Sequence, residues 1–489
     1  MPFHRSTVLA AFALLVGGAP MQAQTDEPAV RRAREMVALI SGGTEAALRA
    51  YVDSAFGGRM GEMPFDAHWG FLMSTRASTG GLEWIEGRAE TPGAAVAAVK
   101  SRLTGTIAGL MVRVEPSPPN RILGLGTRAA PPWAPVEKLA VANDPELARS
   151  LREFVEKLAR ADAFSGAVLL AKEGQVLYQG AFGLANRDFD AANTVDTKFN
   201  LGSMNKMFTS VAIAQLVEAG KLRFDDPLAT YVPDFPNPDA AAKIRIEHLL
   251  THTSGLGSYF NEEFDRSSRA RFRTVDQMLE LAKNETLAFE PGTRWSYSNT
   301  GMLVLGKVIE VASGQDYFDY IREHLYAPAG MTRSDSYELD RVNPNLAVGY
   351  QKEFGADGAV SYRNNLYMHV IRGGPAGGGY STVGDLLAFA KALTAGKLVG
   401  GQYVDLLTTP KPELSSPSYG YGFGVDTETG IVGHSGGFPG ISSNLDIFTK
   451  SGYVAVVMSN YGGGSQPVVE RIRALVKARV GSPAASGGS

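Results

Sequence analysis

Between residues 145 and 481 the chain begins and ends in short strand-like runs, with helical periodicities filling the middle. Gly166 to Ala171 and Gln175 to Phe182, joined at Lys172-Glu173-Gly174, read as a hairpin. At the far end Tyr421 to Val425, Ile431 to Gly436, Leu445 to Phe448 and Tyr453 to Met458 read as an antiparallel meander. A helix with the apolar face Leu147, Leu151, Phe154, Val155 and Leu158 precedes the hairpin, and an amphipathic helix near Val468 to Val480 follows the meander. Strands at both termini with helices between them imply an α+β domain, one sheet covered on both faces.

At 489 residues the chain is too long for that domain alone. Glu27 to Phe56 carries two helical patterns broken at Ser41-Gly42-Gly43, with Thr44 as the expected cap of the second. From Gly81 to Gly126 the pattern turns to short β runs such as Leu110 to Val114 and Arg121 to Leu125. Residues 25–130 therefore read as a small α+β domain, and residues 131–144, opening on Pro131-Pro132-Trp133-Ala134-Pro135, as a linker. The helices-then-sheet order resembles the nuclear-transport-factor-2-like cone. Residues 482–489 read as a flexible tail. Residues 1–24 read as a signal peptide: His4 and Arg5, the apolar run Val8 to Val16, then small and polar residues to a cut near Ala23 or Gln24. That run is about half the length that spans a bilayer. Export to the periplasm or beyond, with no membrane span after cleavage, is the expectation.

Several chemistries are excluded early. The chain has no cysteine, which removes a thiol nucleophile, a disulfide and a cysteine-held zinc. A formal net charge of −3 gives no electrostatic footprint for nucleic acid. His248 and His252 stand four apart, in the wrong order for H-E-x-x-H and without an evident third ligand, so no metal is expected. The glycines at 373, 374 and 377–379 lack a phosphate-loop lysine and read as close backbone passage along a cleft. No cofactor is implied. Gly433-His434-Ser435-Gly436-Gly437 matches G-x-S-x-G, but a poor helix start follows Ser435 and no histidine lies downstream of it. Thr382 and Asp385 read as a capping box.

Ser203-Met204-Asn205-Lys206 opens a helix backed by Met207, Val211, Ile213 and Leu216. At i and i+3 the two polar side chains share a face, and a serine hydroxyl needs such a neighbouring base to attack a carbonyl. Tyr297-Ser298-Asn299 lies in a turn before the helix Met302 to Val311, and His434-Ser435-Gly436-Gly437 ends a strand. These three elements, in this order, resemble the serine β-lactamase-like superfamily of class C β-lactamases, D-Ala-D-Ala carboxypeptidases, family VIII esterases and D-aminopeptidases. Leu249 to Leu256 (LLTHTSGL), Pro328-Ala329-Gly330-Met331 and Ala376 to Thr382 extend the likeness over residues 150 to 480.

The resemblance implies the β-lactamase/transpeptidase-like fold, acylation of Ser203, and proton handling by Lys206 and Tyr297. It implies substrate orientation by Asn299 and an oxyanion hole from the backbone N–H groups of Ser203 and Gly437, beside Gly436. Either Lys206 or Tyr297 serves as the base. A phenol needs about 3–4 kcal/mol to ionise near neutrality. An ammonium some 4 Å away supplies about 4 kcal/mol at an effective dielectric of about 20. Where the β-lactamases carry lysine, this chain has His434, mostly neutral at pH 7 and a weaker partner for a substrate carboxylate. That favours small ester, amide or peptide substrates over β-lactams. The rival reading is a penicillin-binding-type sensor with little turnover. Specificity is expected in the segments around Tyr259 to Arg273 and Asn343 to Gly374.

Overall fold

The computed structural model describes residues 27–137 and 139–481, so the signal-peptide and tail readings fall outside the described residues. Two compact units result. One runs to Val136 and includes Phe354–Ala359; the other takes Glu137–Glu353 and Val360 onward.

In the first unit the described residues form helices α1 (Pro28–Gly42), α2 (Glu45–Ala55), α3 (Gly58–Glu62) and α4 (Phe65–Thr79). Strands β1 (Leu82–Thr91), β2 (Ala94–Ser101), β3 (Ile107–Val114) and β4 (Ile122–Ala129) follow as an antiparallel meander. Thr44 caps α2 by accepting from the Ala47 N–H. Ala95, Ala97 and Val99 of β2 alternate inward with Leu110, Val112 and Val114 of β3, and Val30, Ala33, Val37 and Ile40 of α1 complete that core. The Trp69 indole donates to Gly355 O at 2.9 Å within the same unit.

The second unit starts with α5 (Asp144–Arg160), capped by Asn143, whose Oδ1 accepts from the Glu146 N–H at 2.9 Å. Strands β5 (Gly166–Lys172) and β6 (Gln175–Phe182) form the expected hairpin. The last strands are β7 (Gly424–Asp426), β8 (Ile431–Phe438), β9 (Ile441–Phe448) and β10 (Tyr453–Ser459). They assemble with the hairpin into one antiparallel sheet of order β7-β8-β9-β10-β5-β6. The two ends of the sequence meet at β10 and β5, where Val456 lies opposite Leu169 and Ala455 opposite Leu170.

Every residue of β9 and β10 is buried, as a sheet covered on both faces requires. Ala167, Leu169, Ala171, Val454, Val456 and Met458 face the main core. There they meet residues of α6 (Asn205–Glu218), α7 (Asn299–Ser313) and α8 (Val383–Thr394). Helices α5 and α9 (Gln466–Gly481) pack on each other and against β6 and β10. Helix α6 is apolar and buried almost all round, which marks a helix enclosed by the domain rather than lying on its surface. Only half of the expected capping box exists at α8. Thr382 accepts from the Asp385 N–H, but the Asp385 carboxylate accepts from the Arg333 N–H and the Ser334 hydroxyl instead of turning back. No helix among the described residues is long and apolar enough to cross a membrane.

Candidate active site

Ser203 enters the site on a tight turn. Phe199 and Asn200 pair with Ser381 and Tyr380, and the short 3-10 turn Gly202–Met204 then leads into α6. Gly202 holds φ +52, and a Cβ there would stand 3.0 Å from Gly436 Cα and Gly437 N. Only glycine lets the turn press so closely on β8, and that approach brings the Ser203 and Gly437 backbones side by side. Asn200 Oδ1 fixes the turn by accepting from the Gly202 N–H at 2.8 Å.

Lys206 lies in the first turn of α6 and is 0% exposed. Its Nζ stands 3.0 Å from Ser203 Oγ, 2.9 Å from Asn299 Oδ1 and 2.5 Å from Ala376 O. Burial lowers its pKa to about 7, so roughly half is the free amine at neutral pH. That amine has two N–H bonds and one lone pair. Asn299 Oδ1 and Ala376 O can only accept, so they take the two N–H bonds. The lone pair is left for the Ser203 hydroxyl proton.

Tyr297 comes from the extended stretch before α7. Ser298 caps that helix, its Oγ accepting from the Gly301 N–H at 2.8 Å. The Ser298 N–H donates to His252 Nδ1 at 3.1 Å, and the His252 ring lies 4.4 Å from that of Tyr297. Tyr297 is 36% exposed, its phenol meets Ser203 and its ring face lies 4.9 Å from Lys206 Nζ. Burial pushes this phenol up to about 12, with the Ser203 contact only partly opposing it. The tyrosinate admitted by the charge argument needs an ammonium at Lys206, and the same burial leaves that charge on only about half of the molecules at neutral pH. Desolvation dominates at both residues.

The remaining expected residues divide. Asn299 lines the cleft with Oδ1 accepting from Lys206 and Nδ2 donating to Ser258 Oγ at 3.1 Å, which leaves one N–H and one lone pair of the amide. Gly437 lines the cleft, and a Cβ there would meet nothing within 4 Å. Gly436 supports it from behind: a Cβ would fall 2.0 Å from Leu201 O. His434 lies beside Tyr297, ring centroids 6.4 Å apart, but lines a neighbouring depression with Asp446 and Arg473. Its Nδ1 faces Ser435 O and its Nε2 faces the Tyr419 hydroxyl at 2.9 Å. Burial, helped by Lys206, lowers its pKa to about 4.

Sequence reasoning missed Asn200, the Ala376 carbonyl, His369 and Phe438. The first two act through a turn and a backbone oxygen and leave no side-chain motif. His369 lies in a segment already expected to wall the cleft.

The beta-lactamase family model matches residues 149–479. The chain belongs to the beta-lactamase family. Penicillin-binding protein 4 of Amycolatopsis lactamdurans is 28% identical over 330 residues, 64% of this chain and 84% of that one. Esterase EstB of Burkholderia gladioli is 34% identical over 198 residues, 38% of this chain and 50% of the other. The crystal structure of a penicillin binding protein from Bacillus halodurans superposes with a TM-score of 0.60 at 31% identity, covering 67% of this chain and 98% of that one. This beta-lactamase-family fold belongs to serine hydrolases, with an esterase among the relatives.

Within this family frame, Ser435 occupies the middle of strand β8 opposite Asn444, not a strand-to-helix elbow. His248 Nδ1 accepts from the Arg245 N–H at 3.1 Å, and His252 serves Ser298.

Proposed function

We propose that this chain is an exported serine hydrolase that cleaves an ester or amide bond through an acyl-enzyme on Ser203. The Ser203 proton passes to the Lys206 amine as Oγ attacks the substrate carbonyl. Negative charge on the carbonyl oxygen is then met by the N–H groups of Ser203 and Gly437, an arrangement of the kind that contributes a few kcal/mol to the transition state. Collapse of the tetrahedral adduct expels the alcohol or amine, which takes a proton by way of the Tyr297 hydroxyl and Lys206. Water, deprotonated by the same amine, then releases the acid and restores Ser203.

One observation carries the reading: two obligate acceptors occupy the N–H bonds of a buried amine whose third direction is the serine hydroxyl. His434 has both ring nitrogens occupied, which speaks against efficient capture of a β-lactam carboxylate. Export follows from the reading of residues 1–24.

The test is to label the purified protein with a fluorophosphonate, map the modified peptide, and compare a nitrophenyl ester, a chromogenic cephalosporin and a D-Ala-D-Ala peptide. Modification at Ser203 with turnover of the ester is expected. Modification elsewhere overturns the assignment, and modification without product release favours a sensor.

A further inference from the structure

Above Ser203 lies a cleft of about 180 Å³. Among the described residues no Asp, Glu, Lys or Arg lines it. Its walls are Tyr259, Phe260, Val370, Phe438 and Ile441. Phe260, 43% exposed, stacks on Phe438 with centroids 5.6 Å apart and planes 29° apart. One aromatic surface thus runs from the 259–273 segment to the end of β8.

A carboxylate entering this cleft loses its water and gains no cation. Lys206 lies beneath Ser203 with its hydrogen bonds committed, and His434 does not line the cleft. An uncharged aromatic or branched apolar group, by contrast, buries its surface against matching walls.

The polar lining is selective too. Asn200 and Asn299 each hold a protein partner at both ends of the amide and keep one N–H and one lone pair, so they accept either kind of group. Tyr259 keeps a hydroxyl that either donates or accepts. His369 is more restrictive. Its Nδ1 lies 3.1 Å from Val370 O, and a carbonyl requires that this nitrogen carry the proton. Nε2 is therefore an acceptor only. It has no partner among the described residues and is not fully enclosed, and it belongs to a half-buried residue that lines the cleft. Burial lowers the pKa of the ring, keeping this tautomer neutral at pH 7.

Resting on the acyl-enzyme reading of Ser203, we propose that the cleft selects an uncharged acyl donor whose aromatic or bulky apolar acyl group carries an amide N–H, with His369 Nε2 as the acceptor. A substrate lacking that N–H leaves the acceptor desolvated and unpaired, a loss of about tenfold or more.

Four p-nitrophenyl esters test this on the full chain: N-acetylphenylalanine, 3-phenylpropionate, butyrate and hemisuccinate, each corrected for its rate with hydroxide. In the wild type the hemisuccinate is expected to have a kcat/KM at least about tenfold below butyrate. The N-acetylphenylalanine ester is expected at least about tenfold above phenylpropionate, mainly through KM. His369→Leu should erase the second preference and His369→Gln, which keeps an acceptor, should restore part of it. Fluorophosphonate titration counts intact sites in each variant. Equal turnover of butyrate and hemisuccinate, no N–H preference in the wild type, or a preference that survives in His369→Leu overturns the inference while leaving the hydrolase reading standing. Turnover of none of the four by the wild type overturns that reading and the inference together.

Discussion

Lys206 Nζ lies 3.0 Å from Ser203 Oγ, one helical turn further along the chain, and no carboxylate among the described residues raises its pKa. Burial therefore acts on it unopposed and lowers its pKa to about 7. In the proposed mechanism the free amine is the reactive form. For a nitrophenyl ester, kcat/KM should rise with pH through about 7 and level off above it. A rate that stays flat down to pH 5 would rule out the Lys206 amine as the base.

The same burial couples activity to stability. The unfolded chain binds a proton on Lys206 up to about pH 10.4, whereas the folded chain releases it near 7. Between those values the unfolded state holds more protons, so stability rises with pH, by about 1.4 kcal/mol per pH unit. Lys206→Met lacks this dependence. Denaturant melts of wild type and variant from pH 7 to 10 should show the difference shifting steadily toward the wild type; parallel curves would mean the lysine stays charged when folded.

Tyr297 separates the two candidate bases. Its phenol is pushed up to about 12, so in the proposed mechanism it acts as a protonated hydroxyl that relays rather than abstracts. Tyr297→Phe should lower kcat by about 10²–10⁴-fold. The acid limb near pH 7 should survive, because it belongs to Lys206. If that limb vanishes with the phenol, the tyrosine is the titrating base.

His252 is the buried support of that tyrosine. Its Nδ1 accepts from the Ser298 N–H, and its φ of +60 is a conformation bulky residues adopt poorly. His252→Phe leaves the Ser298 N–H unpaired and strains the turn, for a loss of about 2–4 kcal/mol. His252→Asn tolerates the backbone angle and should lose less when the two variants are compared in thermal melts. Equal losses would place the cost in the missing ring rather than in the turn.

Much of this architecture was legible in the sequence because it rests on local periodicity. The short apolar runs Gly166 to Ala171 and Tyr453 to Met458, bounded by turn residues, signal strands covered on both faces, and the spacing of Ser203 and Lys206 signals a shared helix face. The sheet order was not legible, since nothing local says that β10 lies against β5. Tyr297, Asn299, His434 and Gly437 were not legible in that way, because they lie on other elements and were reached only through the resemblance to the serine β-lactamase-like superfamily. Ala376 was not legible at all, because its contribution is a carbonyl oxygen that any residue carries. The protonation states also lay out of reach: spacing places an amine near a phenol, but burial decides which of them gives up its charge. His434 illustrates the limit, since its type suggested a carboxylate partner while Tyr419 and Ser435 O occupy its nitrogens.

Gly202 tests the oxyanion geometry through the backbone alone. At φ +52 an alanine is strained by about 1–2 kcal/mol, and its Cβ would press on Gly436 and on Gly437 N at 3.0 Å. Relief requires the Ser203 turn to move away from β8, parting the two N–H groups assigned to the oxyanion hole in the proposed mechanism. Misplacement of about 1 Å costs on the order of 10²-fold in rate, so Gly202→Ala should lose both melting temperature and kcat. Gly437→Ala is the contrast, because its Cβ projects into open space and should leave the melting temperature unchanged. A Gly202→Ala protein that melts lower yet keeps its kcat would mean that the close approach of turn and strand holds the fold together without shaping the oxyanion site.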